Sequence, residues 1–233
     1  MIFAMHRSIV LTALVLIVVA LVAIIIAAGY ASSPREILAL RGTILLSLNG
    51  LLLLLCFRPV LWFVHKITFA SGWWFPWLDG EWRAEIRSNW PKVKRTFEAA
   101  RGDAPHYDPL TAPAPDDAEA LTGATVVIKT TLLLMSIEIT PDNTTKISRT
   151  RFVRPRWAKP ERPELSYVFE QEDHGQVGVT DAESHLGAGL IRYDESRDML
   201  SGEYWTHRRS DVGLNTAGKI VMRRVPKTAA SKS

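Results

Sequence analysis

Gly80–Pro91, GEWRAEIRSNWP, decides how the rest of the chain is read. Trp82, Ala84, Ile86 and Ser88 fall on one face at period 2, and Glu81, Arg83, Glu85 and Arg87 fall on the other. That alternation is the signature of a half-buried strand. A glycine opens it, Trp82 follows one residue later, and Pro91 stops the ladder because it has no N–H to donate. The strand also marks a change of solvent, since the hydrophobic, membrane-type sequence ends just before it.

Upstream, Ser8 to Ser33 contains no charged residue, and neither does Gly42 to Phe57. At about 1.5 Å per residue, some 20 apolar residues cross a hydrocarbon core roughly 30 Å thick. The spacing predicts two transmembrane helices in residues 1–66, at about 8–28 and 42–64, with an interfacial linker over 67–79. The first apolar run exceeds the roughly 7–15 residues of a cleaved signal peptide and is followed at once by the second. Tyr30, Ser32, Ser33 and Pro34 suit a short turn at the headgroups, and Pro59 is placed to bend the second span. Trp62, His65, Lys66, Trp73, Trp74 and Trp77 form an aromatic and basic exit belt, read as interfacial anchoring. Small residues suited to close helix approach stand at Ala20, Ala23 and Ala27 in the first span and at Gly42, Ser47 and Gly50 in the second.

The net charge is +4, divided as five cations against two carboxylates in residues 1–79 and 23 against 22 in residues 80–233. A soluble part so nearly neutral argues against a polymer of DNA or RNA as partner. Cys56, the single cysteine, lies in the second apolar run, so no intramolecular disulfide forms. That fits a reducing compartment and places both termini in the cytoplasm.

Asn89 to Leu121 loses periodicity and gains prolines, which predicts a long excursion with a short helix over Lys92 to Arg101 and a Pro-rich insertion at 103–117. Strand signals then recur at Thr125–Thr131, Leu132–Thr140, Lys146–Arg154, Leu165–Gln171, His185–Tyr193, Leu200–His207 and Gly218–Val225. With the first strand they number eight. Eight strands on short links suit a closed up-and-down barrel whose interior holds one small ligand. The fold class is thus membrane-anchored all-β: two N-terminal transmembrane α-helices, then a soluble eight-stranded, lipocalin-like β-barrel over 80–226 and a disordered tail at 227–233.

No arrangement supports catalysis. The six histidines lack metal-ligand spacing, the lone cysteine excludes a thiolate cluster, and no glycine-rich loop of the P-loop or dinucleotide type is present. The expectation is a non-enzyme without metal or cofactor. Polar residues on strand faces remain. Lys129 points either into a cavity or to solvent. The basic run Lys146, Arg149, Arg151, Arg154, Arg156, Lys159 and Arg162 is either a solvated or membrane-facing surface or a source of guanidinium forks for phosphate. Tyr204, Thr206 and Arg208 share one face, combining an aromatic plane, a hydroxyl and a fork, which are the contacts a base, ribose and phosphate need. Tyr204 reads equally well as core, and Trp82 more as a barrel-floor plug than as a binding residue.

The order of parts carries a resemblance. Two N-terminal spans, then GEWRAEIRSNWP, VVIKTTLLLMSIEI at 126–139, KISRTRF at 146–152, a Tyr-containing strand at Leu165 to Glu170, ESHLGAGLIRY at 183–193 and LSGEYWTHRRSDVGLNTAGKIVMRR at 200–224 resemble the two-transmembrane, β-strand-rich effectors of cyclic-oligonucleotide-based antiphage signalling systems (CBASS). The long Pro-rich insertion before Thr125 departs from that pattern. The resemblance implies a multi-pass protein of the bacterial inner membrane with a cytoplasmic barrel. Its activating ligand would be a cyclic oligonucleotide, most simply a cyclic dinucleotide, made by a partner nucleotidyltransferase. Homo-oligomerisation of the spans among membrane lipid would then breach the membrane and kill the infected cell. Carried over by motif, the ligand-binding residues would be Trp82, Ser88, Lys129, Ser148, His185, Tyr204, Thr206 and Arg208. Gly-x-Trp on a first strand before an eight-stranded barrel also resembles lipocalins, and this supplies the alternative of a membrane-tethered carrier or sensor of an apolar ligand.

Overall fold

The computed structural model describes residues 7–30, 33–68, 75–113, 120–156, 162–175 and 183–226. Trp73, Trp74, Lys159, part of the Pro-rich stretch and the 227–233 tail lie outside the described residues. The chain divides into two units, Met1–Trp77 with Thr130–Leu134, and Leu78–Lys129 with Met135–Ser233.

The first unit is helical: α1 (Arg7–Ala27), α2 (Pro34–Ala39), α3 (Arg41–Cys56) and α4 (Arg58–Thr68). Among the described residues no single helix is long and apolar enough to cross a membrane, although α3 and α4 together pass that test with a bend of 92° between them. The expected second span over 42–64 is therefore broken. The break falls at Phe57, whose backbone is extended, and Pro59 sits in the first turn of α4, where its missing N–H costs nothing. No residue of α3 is buried, and Leu45, Leu46, Leu53 and Leu54 stand exposed along it, as do Leu16, Val19 and Ile24 on α1. On α4, Leu61 and His65 are buried, His65 Nε2 lies 3.0 Å from the Phe75 carbonyl, and Lys66 stacks over Trp62 on the exposed side.

The second unit is a closed antiparallel barrel of eight strands in sequence order: β1 (Gly80–Ser88), β2 (Leu121–Thr130), β3 (Met135–Pro141), β4 (Lys146–Arg156), β5 (Glu164–Asp173), β6 (Ser184–Asp194), β7 (Met199–Thr206) and β8 (Ala217–Arg224). β1 pairs with both β2 and β8, from Trp82↔Arg224 to Ser88↔Gly218, so no edge is left open. The barrel expected from sequence is present, with strand bounds shifted by a few residues. The main shift is at 131–134, where the Thr131 hydroxyl accepts from Leu134 N–H and its own N–H donates to the Leu134 carbonyl, making a turn of what periodicity reads as strand. A helix follows β1 as expected, α5 (Trp90–Ala100), with Pro91 in its first turn.

The inner face is the one alternation assigns. Trp82 and Ala84 are fully buried while Glu81, Arg83, Glu85 and Arg87 are exposed. A bulge between Thr150 and Phe152 shifts the parity of β4, so that Arg149 before it, Arg151 within it, and Arg154 and Arg156 after it are all exposed. The guanidinium groups pair there with acidic neighbours, Arg149 with Glu138 and Arg151 with Glu170. Phe152, Leu186 and Trp205 add exposed apolar area to the same outer wall.

One end of the barrel is closed. Trp82 Nε1 donates to the Leu78 carbonyl at 3.0 Å, its ring meets Tyr193 edge to face, and the Arg224 guanidinium lies 4.2 Å over its centroid. Arg224 also donates to Asp198 and to the Asp79 carbonyl, and the Tyr193 hydroxyl donates to the other Asp198 oxygen. Burial, reinforced by Asp198, pushes the Tyr193 phenol up to about 12. A phenol whose ionisation is delayed by folding stabilises fully below its unfolded value near 10 and loses that contribution as pH rises toward its folded value. Two outcomes are expected in denaturant titrations. Trp82→Ala costs about 3–5 kcal/mol, and Tyr193→Phe flattens the loss of stability above about pH 10.

Candidate functional site

The opposite end is open and leads into a cavity of about 190 Å³. Its apolar wall is Ile86 on β1, Ile139 and Pro141 on β3, Phe169 on β5 and Ile220 on β8. Its polar groups are Ser88, Thr122, Thr144, Lys146, Ser148, Tyr167, Gln171, Tyr204 and Thr206. Lys146 is the one cation lining it among the described residues.

Glycine makes the room. Gly187 and Gly189 occupy inward positions of β6, in register with Phe169 and Tyr167 of β5. A Cβ at Gly187 would fall inside the Phe169 ring's van der Waals envelope, and one at Gly189 would meet the Tyr167 ring and hydroxyl. The two rings lie at 5.9 Å between centroids, tilted by 36°. They give the cavity a wall of aromatic faces that any larger residue on β6 would displace.

The polar groups are tied to different extents. Ser88 accepts from the Trp90 N–H at 3.1 Å and shares a hydrogen bond with Tyr204, whose phenol is raised by burial and lowered in part by Ser88. Ser148 donates to Gln171 Oε1 at 3.3 Å. Thr206 is committed to structure. Its hydroxyl sits 2.7 Å from that of Thr216, and the Thr216 N–H donates to it at 3.1 Å, pinning the β7–β8 connection. At the rim, Asp173 accepts from the Thr145 hydroxyl at 2.6 Å and the Gly175 N–H at 3.0 Å, with the Lys146 ammonium at 3.7 Å. The Thr145 hydroxyl is the main cause holding this carboxyl below the usual carboxylate range.

Of the eight residues expected to bind ligand, Ser88, Ser148, Tyr204 and Thr206 line the cavity. His185 is buried on the inner face across from Gln171. Lys129 does not converge with them. It is exposed between the buried Ile128 and Thr130, so parity turns its side chain outward. Arg208 lies beyond the end of β7, with its guanidinium 4.5 Å over the Trp90 ring of α5. Trp82 belongs to the closed end. The cation at the cavity is Lys146, which the sequence places in a basic run read either as surface or as a source of phosphate contacts. Tyr167, Phe169 and Gln171 were missed as site residues, although all three share the parity of Leu165. The glycines of β6 were noted only as strand residues.

No protein-family model matches the chain, and no curated protein matches it significantly.

Two measurements check this geometry. Gly189→Ala is expected to cost about 1–3 kcal/mol by overpacking, read from the denaturation midpoint. Asp173 has a depressed folded value, so its contribution is present above about pH 4, the unfolded value, and is lost as pH falls through the folded one. Asp173→Asn should therefore flatten part of the acid limb of the stability curve and leave its slope above pH 5 unchanged.

Proposed function

We propose that this protein is a membrane-anchored receptor whose barrel binds a cyclic oligonucleotide second messenger, and whose N-terminal helices then self-associate and breach the inner membrane, as in antiphage defence. The observation that carries the reading is the cavity: aromatic faces for a planar group, neutral hydroxyls and an amide for sugar or base edges, and a single ammonium at the rim for phosphate. Its size decides the mode. Pockets that enclose a drug-sized ligand run to about 300–1,000 Å³, so about 190 Å³ takes one planar moiety. The remainder of a cyclic dinucleotide rests over the mouth, within reach of Lys146.

The membrane part of the proposal is supported by the exposed leucines of α3 and the exposed aliphatic side chains of α1. Contiguous apolar surface of that kind is unfavourable in water and is satisfied by lipid. Tethering receptors to one bilayer raises the local concentration of their helices to about millimolar without new contacts, so modest barrel association is enough to cluster them.

A second reading has its own support. Ile86, Ile139, Pro141, Phe169 and Ile220 make much of the wall apolar, which suits a carrier or sensor of an apolar ligand. Calorimetry of the full chain in nanodiscs separates the two, with cyclic di-AMP, cyclic di-GMP and cyclic GMP–AMP in one arm and fatty acids in the other. The expected outcome is saturable binding in the first arm, weakened about 10- to 150-fold by Lys146→Ala through loss of a charge-assisted contact of about 1.5–3 kcal/mol. Fatty-acid binding alone, insensitive to Lys146→Ala, establishes the carrier instead. Liposomes holding the full chain should leak dye when the bound cyclic dinucleotide is added and stay sealed without it.

A further inference from the structure

The outer wall of β4 to β7 carries a row of apolar side chains set by the strand register. Phe152 pairs with Val168, Val168 with Ala188, and Ala188 with Trp205. Parity turns Val168 and Ala188 outward, because their neighbours along β5 and β6 are buried on the inner face. Phe152 is 56% exposed and Trp205 52%, with Leu186 also exposed on the mouth side of the row. At about 4.8 Å per strand the row is roughly 14 Å wide. Its large rings stand on the outer strands and its small side chains in the middle, so the face is flatter than the convex wall that carries it. Exposed apolar area with aromatic ends marks a contact surface.

The charges beside the row say what covers it. The next outward row toward the closed end runs Arg154, Ser166, Leu190 and Glu203 across the same four strands. Arg154 and Glu203 are exposed and form no ion pair within the chain among the described residues. On the mouth side, by contrast, Arg149 is held by Glu138 and Arg151 by Glu170. A cation on β4 and a carboxylate on β7 thus stand level with each other at opposite ends of the face. That arrangement is complementary to itself. A two-fold axis running along the strands between β5 and β6 lays β4 of one copy over β7 of the other. Phe152 then meets the second copy's Trp205, Arg154 meets its Glu203, and symmetry makes each contact twice.

We infer that this face of the barrel is a docking surface for a second copy of the chain, with Phe152 and Trp205 as its apolar anchors and Arg154 and Glu203 fixing its register. The inference rests on the membrane-tethered reading above for its setting and adds which surface joins the receptors. The same axis keeps the Gly80 ends of both barrels pointing one way, as two chains held in one bilayer require. Four strands by two or three rows is small against the roughly 1,600 Å² of a standard interface. The contact is therefore weak in solution and gains from tethering, which raises the effective concentration to about millimolar.

The test uses the full chain with Cys56→Ser, reconstituted in liposomes as an equal mixture of Arg154→Cys and Glu203→Cys copies and oxidised with copper phenanthroline. Disulfides between unlike copies should predominate, because positions 154 and 203 face each other across the axis while like positions lie the width of the row apart. In a cysteine-free background, Arg154→Glu and Glu203→Arg should each weaken association about fivefold, measured by energy transfer between labelled copies, and the double reversal should restore it. Disulfides without preference for unlike copies, or a double reversal that does not recover, overturns the inference. Thiols at 154 and 203 that react with water-soluble reagents in detergent and with none in liposomes put lipid on this face and also overturn it. Dye leakage on addition of a cyclic dinucleotide that persists in Arg154→Glu, with unselective disulfides, removes the interface and leaves the second-messenger function standing. Selective disulfides with no leakage on adding cyclic di-AMP, cyclic di-GMP or cyclic GMP–AMP support the interface and remove that function.

Discussion

Arg224 over the Trp82 ring is the contact the barrel depends on, because it joins the last residue of β8 to the first inward side chain of β1. Closing a sheet on itself brings together strands far apart in sequence, and the loop-closure entropy must be met by contacts at the seam. Here the seam carries a full ladder from Trp82↔Arg224 to Ser88↔Gly218, and the ring and guanidinium lock its end. The same arginine reaches Asp198 in the β6–β7 turn and the backbone just before β1. One side chain thus holds three separate pieces of chain from a half-buried position, through a cation–π contact and charge-assisted hydrogen bonds.

Closing that end leaves the other for chemistry. The closed end uses side chains of full size, Trp82, Tyr193, Leu200 and Met222, all buried. Toward the mouth the inward positions include Gly187, Gly189, Ser148 and Ser88; the Phe169 and Tyr167 rings lie over the two glycines, and the cavity opens beside them. The taper along the axis, rather than any single residue, separates the part of the barrel that stabilises from the part that is free to bind.

Much of this was legible in the sequence. Period-2 alternation in 80–88 identified the inner face of β1 correctly, and turn residues at regular spacing counted the strands. What periodicity could not see was the bulge in β4, which reverses parity midway and sends the arginines outward. The same rule, applied strictly to β2, would have turned Lys129 outward, since Ile128 and Thr130 are the buried neighbours. Lys146 was the harder case, because only the placement of a strand's first residue against Ser148 gives it an inward face. The break at Phe57 was partly readable from Arg58-Pro59, but its angle was not.

The glycines of β6 also bear on how the proposed receptor can change over generations. Every substitution at Gly187 or Gly189 adds atoms where the Phe169 and Tyr167 rings already lie, so the first heritable step at either position shrinks the cavity. Recognition of a different ligand is then reached by altering the rings of β5 and β7, with β6 kept bare. The wall without side chains thus acts as a template of negative space, and drift in ligand preference is confined to the strands that face it.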